Sequence, residues 1–297
     1  MSLGILAAVS SAICCGFIPV FTKWMQNLGM TTVEVLFYRF SVVFIITGMI
    51  LLMKKVSFRI TFRQAITLMI MTVFGYGGAT LLLASSFNYL PIGIASMLYF
   101  TYPIFVLLIM TFIFKEKLTK KKVLAFGLAI LAILFLMEFN LTLVNIGSLL
   151  ASGAGLAYAI YLICIQKSAV SQLNNLMIVF YLAGFSCIFF AAQGLIMKVP
   201  DFLRIDLLQL FLGFCVGAIT VYVLGAIAFS IKQIGSTKTS LIISFEAVVS
   251  LVLGIVIFND PWTILTWIGS GLLTLAVVLI SCENSEGSSK EGENEWR

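Results

Sequence analysis

Apolar residues in this chain do not alternate with polar ones. They fill whole runs of about twenty positions, the length a helix needs to cross roughly 30 Å of hydrocarbon, with short polar stretches between them. Ten such runs are legible, with approximate limits 3–22, 33–53, 65–87, 92–114, 122–138, 146–166, 175–197, 207–229, 236–258 and 262–281. Apolar residues cover both faces of each run, which excludes the alternating strands of a membrane barrel. The pattern therefore predicts an all-α integral membrane protein with ten transmembrane helices. The first run lacks a basic start and carries Pro19 near its end, so a retained helix is expected there rather than a cleaved signal.

The pattern also repeats. A register shift of 144 residues carries Ser96 onto Ser240, Phe114 onto Phe258, Glu116 onto Asp260, Thr119 onto Thr263 and Gly127 onto Gly271. Similar apolar runs can align by chance, but glycine, serine and acid matches at one fixed offset favour a duplication. The chain divides on this reading into a first repeat over 1–138, a second over 146–281 and a tail over 282–297. The tail is rich in Glu, Ser and Gly, cannot bury a core, and is expected to be disordered in the cytosol.

Charge fixes the expected orientation. With a cytoplasmic N-terminus, the inner loops hold Lys54, Lys55, Arg59, Arg63, Lys115, Lys117, Lys120, Lys121, Lys122, Lys167, Lys232 and Lys238. The outer loops hold only Lys23, Lys198 and Arg204. Both termini are then cytoplasmic, in a cytoplasmic or inner membrane. Five runs per half is an odd number, so the second half enters the membrane inverted. The Lys115-Glu116-Lys117 loop keeps its lysines while its counterpart Asn259-Asp260-Pro261 has lost them, as opposite orientation requires.

Composition narrows the class. The chain is 61% hydrophobic and 10% charged, with a mean hydropathy of +1.14, more apolar surface than a soluble interior hides. The net charge of +6 lies in loops and marks topology rather than a nucleic-acid partner. Histidine is absent, which removes the commonest general base and metal ligand. The six cysteines show no metal spacing and read as small buried thiols. No cofactor, metal or enzymatic constellation is expected.

The candidate site begins with Glu246, an acid near the middle of the ninth run. A carboxylate at that depth is costly unless it is protonated, paired or facing water. It is either a site group that binds cargo or takes up a proton, or a structural acid holding helices together. Arg39 is expected to snorkel or pair with an acid as a structural charge, with recognition of a substrate carboxylate as the other reading. Tyr76, Tyr99, Tyr102, Tyr158, Tyr161 and Tyr222 lie within runs, where lipid offers their hydroxyls no partner. They are expected to face the bundle interior, as a cavity wall or as ordinary interhelical bonds. Gly75, Gly77 and Gly78 mark a possible bend or gate. Pro103 is expected to kink the fourth run near mid-membrane, and Pro91 to end a loop. Gly213 and Gly217 suit close helix packing, and Lys238 reads as a topology residue.

Several local features, taken in order, resemble a known family. They are Cys15-Gly16-Phe17 through Lys23, Tyr38-Arg39-Phe40, Tyr102-Pro103, Phe114-Lys115-Glu116-Lys117, Phe245-Glu246-Ala247 and Phe258-Asn259-Asp260. With the doubled five-helix pattern they resemble the EamA-type ten-helix members of the drug/metabolite transporter superfamily, over about residues 3–281. The chain departs from that family in having Cys15 where Trp is frequent and Ala247 where Pro is frequent. The resemblance implies spans 1, 3, 4, 6, 8 and 9 around a central cavity. It also implies carriage of small metabolites, often amino acids or related compounds and commonly outward. Secondary transport of a small-molecule substrate is therefore expected, with membrane lipid as the surroundings. A non-carrier pore and a membrane-embedded enzyme or sensor are the other classes.

Overall fold

The computed structural model describes residues 3–90, 92–115, 119–136, 146–197, 206–243 and 245–258, together with 263–265, 267–272, 275, 276 and 279. Every regular element among them is helical: α1 (Leu3–Cys15), α2 (Ile18–Asn27), α3 (Thr32–Met53), α4 (Phe62–Ile70), α5 (Tyr76–Ser86), α6 (Ile92–Tyr99), α7 (Tyr102–Phe112), α8 (Lys120–Leu136), α9 (Ile146–Lys167), α10 (Asn175–Ile196), α11 (Leu207–Ile234), α12 (Ser236–Ile243) and α13 (Glu246–Phe258). Six helical segments are long and apolar enough to cross a membrane, among them Leu3–Asn27 and Phe62–Ser86, and shorter apolar helices accompany them. Large apolar side chains such as Met53, Phe62, Ile196 and Leu207 lie on the outside, where hydrocarbon rather than water suits them. Helices α1–α13 fall on the first nine expected runs. Part of the tenth run, the tail and Pro91 lie outside the described residues.

Local chemistry sets the helix starts. Thr31 and Glu34 form a reciprocal cap on α3, with the Thr31 amide donating to Glu34 Oε2 at 2.7 Å and the Glu34 amide donating to Thr31 Oγ1 at 3.3 Å. This arrangement satisfies amides that no helical carbonyl can reach. Thr61 and Gln64 repeat it on α4, and Asn174 caps α10 through the Leu176 amide at 3.0 Å.

Three of the expected spans are not continuous helices. The first breaks between α1 and α2 at Gly16-Phe17, with Pro19 in the first turn of α2. The fourth breaks between α6 and α7 at Phe100-Thr101. Pro103 was expected to kink a continuous helix; it sits instead in the first turn of α7, where a missing amide costs nothing. The ninth breaks between Ile243 and Glu246 without any proline. The last two breaks obey the 144-residue offset: α6 begins at Ile92 and ends at Tyr99, α12 begins at Ser236 and ends at Ile243, and the following helices open at Tyr102 and Glu246. The third span carries a π turn over Met71–Gly75 between α4 and α5. A Cβ on Gly77 would lie 2.4 Å from the Thr72 carbonyl oxygen, and one on Gly78 would lie 2.3 Å from that of Val73. The widened turn therefore depends on both glycines.

Helix pairing follows the same two-fold logic. Span one (α1) packs on span eight (α11), and span three (α5) packs on span six (α9). Spans four and six meet through α7 and α9, and spans one and nine meet through α1 with α12 and α13. Spans two and seven (α3, α10) pair with each other, as do four and nine (α7, α12). Exchanging the halves interchanges the first two contacts, interchanges the next two, and returns each of the last two to itself. Phe44 and Phe180 stack at 4.6 Å between α3 and α10. Gly217 on α11 lets α3 approach so closely that a Cβ there would meet Val42 at 2.5 Å.

Candidate functional site

The breaks converge at the centre of the bundle. Gly16 lies so near α13 that an added Cβ would be 2.5 Å from a Val249 methyl, and Ser250 Oγ reaches toward the Gly16 carbonyl at 3.5 Å. Across the site, a Cβ on Gly155 of α9 would be 2.7 Å from the Tyr99 carbonyl and 2.8 Å from Thr101 Oγ1. The α6–α7 break thus rests on α9, and the α12–α13 break rests on the α1–α2 break.

Tyrosines fill the space between. Ring centroids are 5.3 Å apart for Tyr99 and Tyr102, 4.9 Å for Tyr102 and Tyr158, 5.6 Å for Tyr158 and Tyr161, and 5.2 Å for Tyr161 and Tyr76. All five are buried. They come from α5, α6, α7 and α9, so one aromatic chain links four helices. Such pairs contribute about 0.5–1.5 kcal/mol each beyond area burial. Among the described residues the Tyr102 hydroxyl has no hydrogen-bond partner, nor has Ser96 Oγ.

Glu246 opens α13 at the edge of this cluster and is 4% exposed. A helix N-terminus is the end that favours a negative group, which explains why the acid sits at this break. Its Oε2 has no hydrogen-bond partner among the described residues. Tyr102, 144 residues earlier, opens α7 in the same way and also ends in an unpartnered buried oxygen.

Arg39, read from sequence as a structural charge, makes its contacts inside the bundle rather than at the outer surface. It is buried, donates from Nη2 to the Tyr76 hydroxyl at 2.6 Å, and donates from Nε to Thr220 Oγ1 at 2.8 Å. Its guanidinium carbon lies 5.8 Å from the Tyr76 ring centre and 5.5 Å from that of Phe40. Tyr76 and Thr220 are themselves 144 residues apart, so one cation grips equivalent points of the two halves. Arg39 also lies within electrostatic range of Glu246.

Of the tyrosines expected to face inward, Tyr222 is the exception. It is 48% exposed and donates to Ser10 Oγ at 2.7 Å on the flank of α1. Its helix position gave no reason to prefer one face, because α11 is apolar all round. Thr220 was not singled out from sequence; its 144-residue offset from Tyr76 is the signal that finds it.

Polar contacts also secure the bundle away from its centre. Gln166 Oε1 accepts from the Ser236 amide at 2.8 Å and from the Ser236 hydroxyl, and Lys232 Nζ donates to the Leu173 carbonyl. Lys167 stands 5.6 Å from the Phe114 ring centre, and Trp24 lies 6.4 Å from Phe258, the counterpart of Phe114. A cavity of about 480 Å³ opens beside Gln26, Thr32, Leu82, Asn88 and Gln193.

Comparison with known proteins agrees with this architecture. No curated protein matches the chain. Twenty-nine solved chains match in structure. One of them, described only as the crystal structure of a protein, superposes with a TM-score of 0.76 at 12% identity, covering 94% of this chain and 97% of its own. That likeness shows a shared fold. The family model described as the EamA-like transporter family matches twice, over residues 2–138 and 145–282. The chain therefore belongs to the EamA-like transporter family and is a multi-pass membrane protein of the drug/metabolite transporter superfamily.

Proposed function

We propose that the protein is a secondary transporter in which ten helices form two inverted five-helix repeats, over 1–138 and 146–281. It moves a small metabolite, in the first place an amino acid or related compound, across the cytoplasmic membrane by alternating access. The direction is export, with both termini in the cytosol and Glu246 exchanging a proton. The observation that carries this reading is the pair of breaks at one offset, each followed by a helix that opens on a buried residue, Tyr102 or Glu246, with an oxygen that has no partner among the described residues. Discontinuous helices at corresponding positions of two repeats are where transporters of inverted architecture place their cargo. The asymmetry of lysine and arginine between alternate loops supports the inversion and the orientation. Tyr76, Tyr99, Tyr102 and Tyr158 form the cargo wall, and the glycine-dependent π turn before α5 is the hinge.

Counterflow in proteoliposomes tests the proposal. Vesicles are loaded with pooled amino acids, sugars, nucleosides or amines, and exchange of labelled compound is followed for wild type and Glu246→Gln. Saturable exchange of one chemical class, altered in the variant, is expected. Non-saturable leakage would make the bundle a pore, and a chemically changed product would make it an enzyme.

A further inference from the structure

Arg39 carries a full positive charge inside the bundle at 3% exposure, and the groups it bonds there are neutral. Nε donates to Thr220 Oγ1 and Nη2 to the Tyr76 hydroxyl. The rings of Phe40 and Tyr76 flank the guanidinium, which favours a cation but does not neutralise it. A guanidinium has five N–H donors, so these two bonds leave three for another acceptor. A cation held away from water ordinarily has a negative partner. Beside Arg39 lies a cavity of about 30 Å³, walled by Pro19 and Thr22 of α2 and by Thr80, Ala84 and Phe87 of α5. It admits a small occupant and falls far below the roughly 300–1,000 Å³ of a site for an organic ligand. Its surroundings are electropositive. One wall is the first turn of α2, the end of a helix that favours an anion. The carbonyls of Ala84 and Phe87, which would repel one, are taken by Gln26 Nε2 at 3.1 Å and Lys23 Nζ at 2.9 Å. Thr22 and Thr80 spend their hydroxyl protons on the Ile18 and Gly77 carbonyls, so the donor facing the cavity is Arg39.

We infer that Arg39 binds a small monovalent anion, of the size of chloride, in this cavity between α2, α3 and α5. The ion is the counter-charge of a guanidinium whose own partners are hydroxyls, and it links the half-helix after the first break to the second and third spans. It is a resident ion rather than the cargo, so the inference stands apart from the transport reading. A water is the rival occupant of the cavity, and Glu246 is the rival counter-charge.

Binding of radiolabelled chloride to the full chain in lipid nanodiscs provides the test. Ionic strength is held constant with gluconate, an anion too large for the cavity. Saturable binding is expected, displaced by bromide and not by gluconate. It is lost in Thr80→Met, which fills the cavity and leaves Arg39 in place. Crystals of the wild-type chain grown in bromide are expected to show anomalous scattering at hydrogen-bond distance from the Arg39 guanidinium, a measurement that needs no variant to fold. Three results overturn the inference. They are the absence of saturable binding, as follows if Glu246 is the counter-charge, binding undiminished in folded Thr80→Met, and a water without anomalous signal beside Arg39.

Discussion

The Arg39 guanidinium donates to the Tyr76 hydroxyl at 2.6 Å inside the bundle, and this contact joins the second span to the glycine-dependent helix of the third. Thr220, 181 residues from Arg39 in the chain, takes a second bond from the same side chain. A hydrogen bond to a charged group contributes about 1.5–3 kcal/mol, and stranding a buried charge costs more than losing a neutral pair. Tyr76→Phe is therefore expected to lower thermal stability in detergent by about that amount. Arg39→Lys loses more, because an ammonium lacks the planar fork that reaches both hydroxyls. Equal melting temperatures for Arg39→Lys and wild type would show that the bridge is dispensable.

Tyr102 behaves in the opposite way. Its hydroxyl is buried and unpartnered, so removing it relieves an unsatisfied polar group. Tyr102→Phe is expected to keep or raise the melting temperature while reducing counterflow. Tyr222→Phe leaves counterflow unchanged, since that ring lies on the exposed flank. The two variants side by side separate cargo contact from packing.

Glu246→Gln mimics the protonated acid. At low pH, wild type and variant are expected to exchange cargo alike. They diverge as pH rises and the wild-type carboxylate loses its proton, and the variant's rate stays flat throughout. Parallel pH profiles would remove Glu246 from the coupling.

Glycines divide by what surrounds them. Gly155→Ala drives a Cβ to within 2.7 Å of the Tyr99 carbonyl and 2.8 Å of Thr101 Oγ1; overpacking of this kind costs about 1–3 kcal/mol. Gly77→Ala meets the Thr72 carbonyl at 2.4 Å and is expected to cost a similar amount while also slowing exchange. Gly225→Ala meets nothing within 4 Å, and in a helix interior it is expected to stabilise by up to about 1 kcal/mol. Melting curves in detergent for the three rank them directly.

The membrane spans were legible because hydrocarbon tolerates little besides long apolar helices. The duplication was legible because a handful of polar and small residues kept their spacing. The break at Glu246 was not, since Ala247 gives no proline signal and the acid itself holds the helix start. Glycine clustering at Gly75, Gly77 and Gly78 announced a bend, but the π turn that needs them follows from carbonyl positions no pattern encodes. The partners of Arg39 and the exposure of Tyr222 were hidden for one shared reason. Along an apolar run, composition does not say which side meets lipid and which meets another helix, and the deciding partners, Thr220 and Ser10, lie in distant parts of the chain.

The shared cation has a counterpart position, and it is empty of charge: 144 residues after Arg39 stands Ala183. In a carrier that works by exchanging its two halves, as proposed, a cation supplied by the first half alone and bonded to both Tyr76 and Thr220 gives the two end states different contacts, and so a reason to differ in energy.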